Sequence, residues 1–151
     1  MATTGTIVDA GITDTNNMGA AMAPAAYETL RAHFADTGRT PDDYDLIVTG
    51  DLGKIGHAVV TRLFADDGVD LTGRYNDCGL MIYDLEAQDV HAGGSGCGCS
   101  AAVVCSHIVS EMRSGRLNKV LFVGTGALLS AVSPLQGETV PSIAHAVLLT
   151  N

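Results

Sequence analysis

Chemistry in this chain could come from two short stretches. In Thr49-Gly50-Asp51-Leu52-Gly53-Lys54 a single carboxylate, Asp51, stands just after an apolar run. Two readings are open: Asp51 faces a pocket as a carboxylate or cation ligand, or it caps the helix that follows, where free N–H groups and the helix dipole favour a negative charge. In His91-Ala92-Gly93-Gly94-Ser95-Gly96, running on into Cys97-Gly98-Cys99, an imidazole precedes a glycine-rich loop. A loop histidine can stabilise a developing oxyanion or transfer a proton. The glycines themselves allow close backbone approach, and the N–H groups of a helix start would attract an anion. Thiolates and imidazole are good ligands for soft metals. However, residues 97 and 99 at a helix start point roughly 200° apart, from ~100° per residue, so shared ligation is not expected. His107 falls inside a helix and reads as a buried, hydrogen-bonded residue. Walker and dinucleotide-binding glycine patterns are absent.

The elements that must position these groups follow from hydrophobic patterning. Thr6 to Ile12 predicts a short strand. Met18 to Asp36 predicts a helix, with N-cap candidates in Asp14 to Asn17, a kink or late start at Pro24 and a stop at Gly38. Tyr44 to Gly50 predicts a second strand, followed at once by a helix to about Asp66, a strand–turn–helix unit typical of parallel sheets. Gly79 to Asp84 predicts a third strand and Ser95 to Ser110 a third helix, ending by about Arg113. Lys119 to Gly124 and His145 to Thr150 predict the last two strands, joined by a non-helical connection. The fold class is α/β: a five-stranded, mainly parallel sheet with helices on both faces and the last strand antiparallel.

The predicted third helix is small or apolar on nearly every side (Ala101, Ala102, Val103, Val104, Cys105, Ile108, Val109) and carries no charge between residues 95 and 110. Such a helix is covered all round. One sheet covers one side, so a second layer from a partner half or a second copy is implied.

Composition bounds the rest. A chain of 151 residues and 46% hydrophobic content forms one domain, burying roughly two-thirds of its unfolded surface. Eight basic against seventeen acidic residues leave a charge of −9, which disfavours nucleic acid and anionic membranes as partners. Residues 1 to 11 lack a signal-peptide pattern, so an intracellular product is expected. The four cysteines, Cys78, Cys97, Cys99 and Cys105, have no scaffold or zinc-ribbon spacing and read as reduced thiols.

The segments NNMGAAMAPAA (16 to 26), DYDLIVTGDLGKIG (43 to 56), QDVHAGGSGCGCSAAVVC (88 to 105) and FVGTGALLSAVSPLQGETVPSIAHAV (122 to 147) together resemble the C-terminal half of the stage V sporulation protein AD family, a thiolase-like group of spore-forming bacteria. The resemblance implies that residues 1–151 form a single thiolase-like C-terminal half-domain without its N-terminal half, whose third helix packs against that of the other half. It also implies binding, without turnover, of dipicolinic acid or its calcium chelate, in support of that solute's uptake into the developing spore. A peripheral place at the inner membrane of the forespore or spore, beside other components of a solute transport complex, is implied with it. No cofactor is implied. The alternative is an acyltransferase or condensing enzyme of the thiolase superfamily, assembled with a separate N-terminal half.

The superfamily draws on three loops of this half, and the resemblance implies a ligand site of Asp51, His91, Ser95 and Glu138. Asp51 or Gly50 stands where condensing enzymes carry a histidine. His91 matches a histidine loop, and Glu138 in Gln136-Gly137-Glu138-Thr139-Val140-Pro141 lies near the place of an acid/base cysteine. With two of three catalytic positions unfilled, acyl transfer by this chain alone is not expected.

Overall fold

The two β-rich segments around Ile47 and Leu121 sit side by side at the centre of one sheet. The computed structural model describes residues 1–130 and 132–151. Strands β1 (Ala2–Thr4), β2 (Leu46–Thr49), β3 (Tyr75–Asp77), β4 (Lys119–Ala127) and β5 (Ser142–Thr150) are ordered β1-β5-β4-β2-β3. Strand β2 pairs in parallel with both β3 and β4, while β5 runs antiparallel to β4 and to β1. Four strands therefore share one direction and the last opposes them, as the sequence predicts.

Side-chain alternation assigns the two faces. Ile47, Leu121, Val123, Ala144 and Ala146 point to one core, closed by α1 (Met18–Thr37) and α2 (Gly53–Asp66). Val48 and Val120 point to the other, covered by Val103, Ile108 and Met112. Those three belong to a continuous helical stretch, α4, which is α-helical over Cys99–Val103, π-helical over Val104–Ile108 and α-helical again over Val109–Arg113. Before it comes a single turn, α3 (Cys78–Met81).

Helix α1 starts at Met18, where Asn17 Oδ1 accepts from the Ala20 N–H, runs through Pro24, and stops at Gly38, whose φ of 66° is the left-handed conformation that glycine tolerates. Its alanines let it lie close to the sheet and to α2. A Cβ on Gly19 would strike the Leu52 carbonyl, and one on Gly56 would sit 2.6 Å from the Gly19 oxygen. The two helix starts are thus locked backbone to backbone.

Three predicted elements move. The first strand is Ala2–Thr4, not Thr6 to Ile12; within the latter only Val8 bridges, to Ser142, and Ile7 is 74% exposed. Pairing with β5 decided this, and β5 lies some 140 residues away. The third strand is Tyr75–Asp77, not Gly79 to Asp84, because Asp77 Oδ1 accepts from the Gly79 N–H and turns the chain into α3 at once. The third helix begins at Cys99, not Ser95, since Gly96 has a φ of 104°. The β4–β5 hairpin is longer at both inner ends than predicted, with nine register pairs from Lys119↔Thr150 to Ala127↔Ser142.

His33 is fully buried, bonded through Nδ1 to Thr3 Oγ1 and through Nε2 to Tyr44 Oη, both at 2.7 Å. Burial lowers its pKa below the ordinary histidine value, with Arg39 adding to the effect. The folded state therefore holds the neutral ring more favourably than the unfolded chain does. Its contribution to stability is complete above about pH 6.5 and is lost as pH falls below that value. Urea denaturation at pH 7.5 and 5.0 is expected to show a smaller acid-side loss in His33→Gln than in the wild type; equal losses would refute the assignment.

Candidate functional site

The carboxyl ends of β2, β3 and β4 meet the amino end of β5 at one edge of the sheet, the place where α/β sheets receive ligands. A cavity of about 150 Å³ opens there. Its walls are the start of α1 (Asn16, Asn17, Gly19), the start of α2 (Asp51 to Gly53) and the glycine-rich loop (Gly93 to Ser95).

Asp51 lines this cavity with both carboxylate oxygens engaged. Oδ1 accepts from Thr125 Oγ1 at 2.9 Å, and Oδ2 accepts from the Gly96 N–H at 3.0 Å and from Ser95 Oγ at 3.4 Å. The residue fastens the glycine loop to the ends of β2 and β4. It does not cap α2, which corrects one of the two sequence readings.

That cap is Asp77. Its side chain is completely buried and accepts from Thr49 Oγ1 (2.6 Å), Leu52 N–H (2.9 Å), Gly53 N–H (2.8 Å) and Gly79 N–H (2.9 Å). Burial pushes its pKa up from the ordinary carboxylate range, and the four donated bonds pull against that rise. The polar stretch from Asp66 to Asp77 reads as a loop in the sequence, with Asp77 at its end. The signal that could have exposed it is an Asp two residues ahead of a glycine at a helix start, Asp77-Cys78-Gly79.

The glycines of the loop divide by function. Gly94 N–H donates to the Gly79 oxygen at 2.7 Å, and a Cβ on Gly79 would strike the Gly94 carbonyl. Lys54 N–H donates to the Ala92 oxygen at 2.8 Å, where a Cβ on Gly53 would approach to 2.6 Å. Residues 92–94 are small because backbones touch there, whereas Gly96 and Gly98 have open space beside them.

Of the residues expected at the site, Asp51 and Ser95 line the cavity together; His91 and Glu138 are not in its lining. His91 has a φ of 50° and a side chain 87% exposed, with Nδ1 3.6 Å from Asp89 Oδ1. Glu138 is exposed in the connection before β5. Asn16 and Asn17, noted in the sequence only as capping candidates, line the same cavity as Asp51. Cys78 and Cys99 are buried and Cys97 and Cys105 exposed; burial pushes the Cys78 thiol up to about 12. His107 is exposed, not buried as predicted. Among the described residues no group of three or more His, Cys, Asp or Glu side chains could hold a metal ion. No described helix is long and apolar enough to cross a membrane.

Comparison with known proteins gives the following. Residues 1–150 match the family model described as stage V sporulation protein AD. The stage V sporulation protein AD of Bacillus subtilis strain 168 is 52% identical over 147 residues, which are 97% of this chain and 43% of that protein. The chain thus spans less than half the length of this relative. Among solved structures, 3-oxoacyl-[acyl-carrier-protein] synthase III from Aquifex aeolicus VF5 is similar at a TM-score of 0.42 and 16% identity, over 86% of this chain and 38% of that one.

Proposed function

The chain belongs to the stage V sporulation protein AD family, and from that premise we propose that it binds dipicolinic acid or its calcium chelate without turning it over, supporting uptake of that solute into the developing spore. It would act beside an N-terminal thiolase-like half, or as a homodimer, within a spore solute transport complex peripheral to the inner membrane.

The observation that supports binding over catalysis is the cavity lining. Among the described residues, Asp51 is its sole titratable side chain, and both Asp51 oxygens already accept bonds from neighbouring groups. With three accepted bonds holding it in place and no second titratable group in the lining, Asp51 lacks the partner that acid–base chemistry pairs with a general base. The remaining polar groups, the Asn16 and Asn17 amides and the Ser95 hydroxyl, are neutral and suit a carboxylate-bearing ligand. At about 150 Å³ the cavity is half the size of the smallest ordinary small-molecule pockets, ~300 Å³. A second wall, from a partner half or copy, would complete it.

Calorimetry with dipicolinic acid, with and without calcium, tests the reading. Binding is expected, and it is expected to strengthen with calcium, because calcium offsets repulsion between the dianion and the Asp51 carboxylate in the cavity wall. Asp51→Ala is expected to weaken binding of the calcium chelate by about 1–3 kcal/mol, the range for a polar contact to a charged group. Unchanged affinity in all of Asp51→Ala, Ser95→Ala, His91→Ala and Glu138→Ala would move the ligand to another surface. Turnover of an acyl-CoA substrate that vanishes in His91→Ala would favour the condensing-enzyme alternative.

A further inference from the structure

Asp77 is not in the lining of the cavity, yet two of the cavity's three walls hang on it. Its Oδ1 accepts from Gly53 at the start of α2 and from Gly79 at the start of α3; its Oδ2 accepts from Leu52 and from Thr49 at the end of β2. Leu52 and Gly53 line the cavity directly. Gly79 reaches it through one further bond, its carbonyl accepting from the N–H of Gly94, which lines the opposite wall with Gly93. A Cβ at Gly93 would collide with that same Gly79 carbonyl, so the loop and the α3 turn are seated directly on one another. Thr49, the fourth donor, is itself 3.0 Å from Tyr75 Oη, and the Tyr75 ring stacks on His57 of α2 at a centroid distance of 4.5 Å. The buried Asp77 carboxylate therefore ties the α2 start to the α3 turn on which the glycine loop is seated, alongside the direct Lys54–Ala92 backbone bond and the Asp51 bonds to the loop.

We propose that Asp77 is the positioning residue of the cavity: it sets the separation of the two walls between which a ligand sits, so that affinity depends on a side chain the ligand never meets. The inference rests on the cavity being the ligand site proposed above. It carries a consequence for α2: its first N–H groups are already held by a protein carboxylate, so a bound anion would have to be received by other donors, those of Asn16, Asn17 and Ser95.

Asp77→Asn tests this best, since the amide oxygen can keep the Gly53 and Gly79 bonds while its NH₂ faces the Leu52 N–H, a donor against a donor. Backbone amide exchange measured by NMR on the full chain is expected to show at least a tenfold loss of protection at Leu52, Gly53, Gly79 and Gly94, and dipicolinate affinity is expected to fall at least tenfold. The comparison variant is Leu30→Ala, a fully buried α1 side chain that makes none of the Asp77 bonds, which should lower global stability without singling out those amides. Thr49→Val, which removes one donor and keeps side-chain shape, is expected to give a smaller loss at the same amides, and it stands in if Asp77→Asn does not fold. Equal loss of protection at these amides in Leu30→Ala, or unaltered affinity in folded variants with altered exchange, would overturn the proposal. If the wild type binds no dipicolinate, the proposed function fails, while the amide comparison still decides whether Asp77 sets the walls.

Discussion

Purified alone at micromolar concentration, the chain is expected to run as a dimer joined through α4. One side of that helix (Val103, Ile108, Met112) is buried on β2 and β4. The other presents Ala101, Ala102 and Cys105 to solvent, small side chains that would let a second helix approach closely. The same sheet face stays open beyond α4, where Val147 of β5 is 40% exposed. Leaving this surface in water forgoes roughly 25 cal/mol for each Å² of apolar area that a partner would cover, and an interface of obligate type above ~2,000 Å² is expected. Light scattering checks the mass. Thiol labelling checks the surface: Cys78 and Cys99 should react slowly because burial raises both pKa values, and Cys105 should become slow as protein concentration rises. Ala102→Glu is expected to return the monomer by placing a charge in the seam. A monodisperse wild-type monomer with Cys105 reacting at a concentration-independent rate would count decisively against the dimer.

What the sequence makes legible here is local, and what it hides is set by distant partners. Helix α1 carries its own start at Asn17 and its own stop at Gly38, and both could be read from residue type. The β4–β5 hairpin strands and β2 announce themselves as β-branched, apolar runs. The apolar surround of α4 is also visible in the sequence, and its outer side is open in this chain. By contrast, Thr6 to Ile12 is as apolar as a strand should be, but the paired segment is Ala2–Thr4, because the register with His145–Val147 is non-local. The Leu80-Met81-Ile82 run looks like a strand, but Met81 and Ile82 pack into the second core beside a helical turn. The adjacent Asp51 is one candidate cap of α2 in the sequence, whereas the capping carboxylate stands 24 and 25 residues further on from the amides it serves. Asp51 could be singled out as the lone carboxylate after an apolar run, and Ser95 through the resemblance; both lie in the cavity wall. Asn16 and Asn17 could not, since it is the tertiary packing of Gly19 on Leu52 and Gly56 that brings the α1 start to that edge.

Replacing Asp77 with alanine is expected to cost about 3–5 kcal/mol, the largest loss of any single side chain at this edge of the sheet. The estimate follows from what remains behind. The Leu52, Gly53 and Gly79 N–H groups and the Thr49 hydroxyl all point at the carboxylate from within hydrogen-bond distance, and Asp77 is completely buried. An unsatisfied buried donor costs about 1–3 kcal/mol, and partial relaxation or an entering water recovers part of the sum. Asp51 offers the internal comparison. It also accepts from Gly96, Ser95 and Thr125, but it is partly exposed, so water can replace it; Asp51→Ala should cost about 1 kcal/mol by the same reasoning. Urea denaturation of the two variants and the wild type at pH 7.5 measures both losses. The ranking is the decisive result: if Asp77→Ala costs no more than Asp51→Ala, the buried carboxylate is not what holds the α2 start, the α3 turn and the glycine loop in one place, and the cavity walls must be fixed by the backbone contacts among Gly19, Gly56, Gly79 and Gly94 alone.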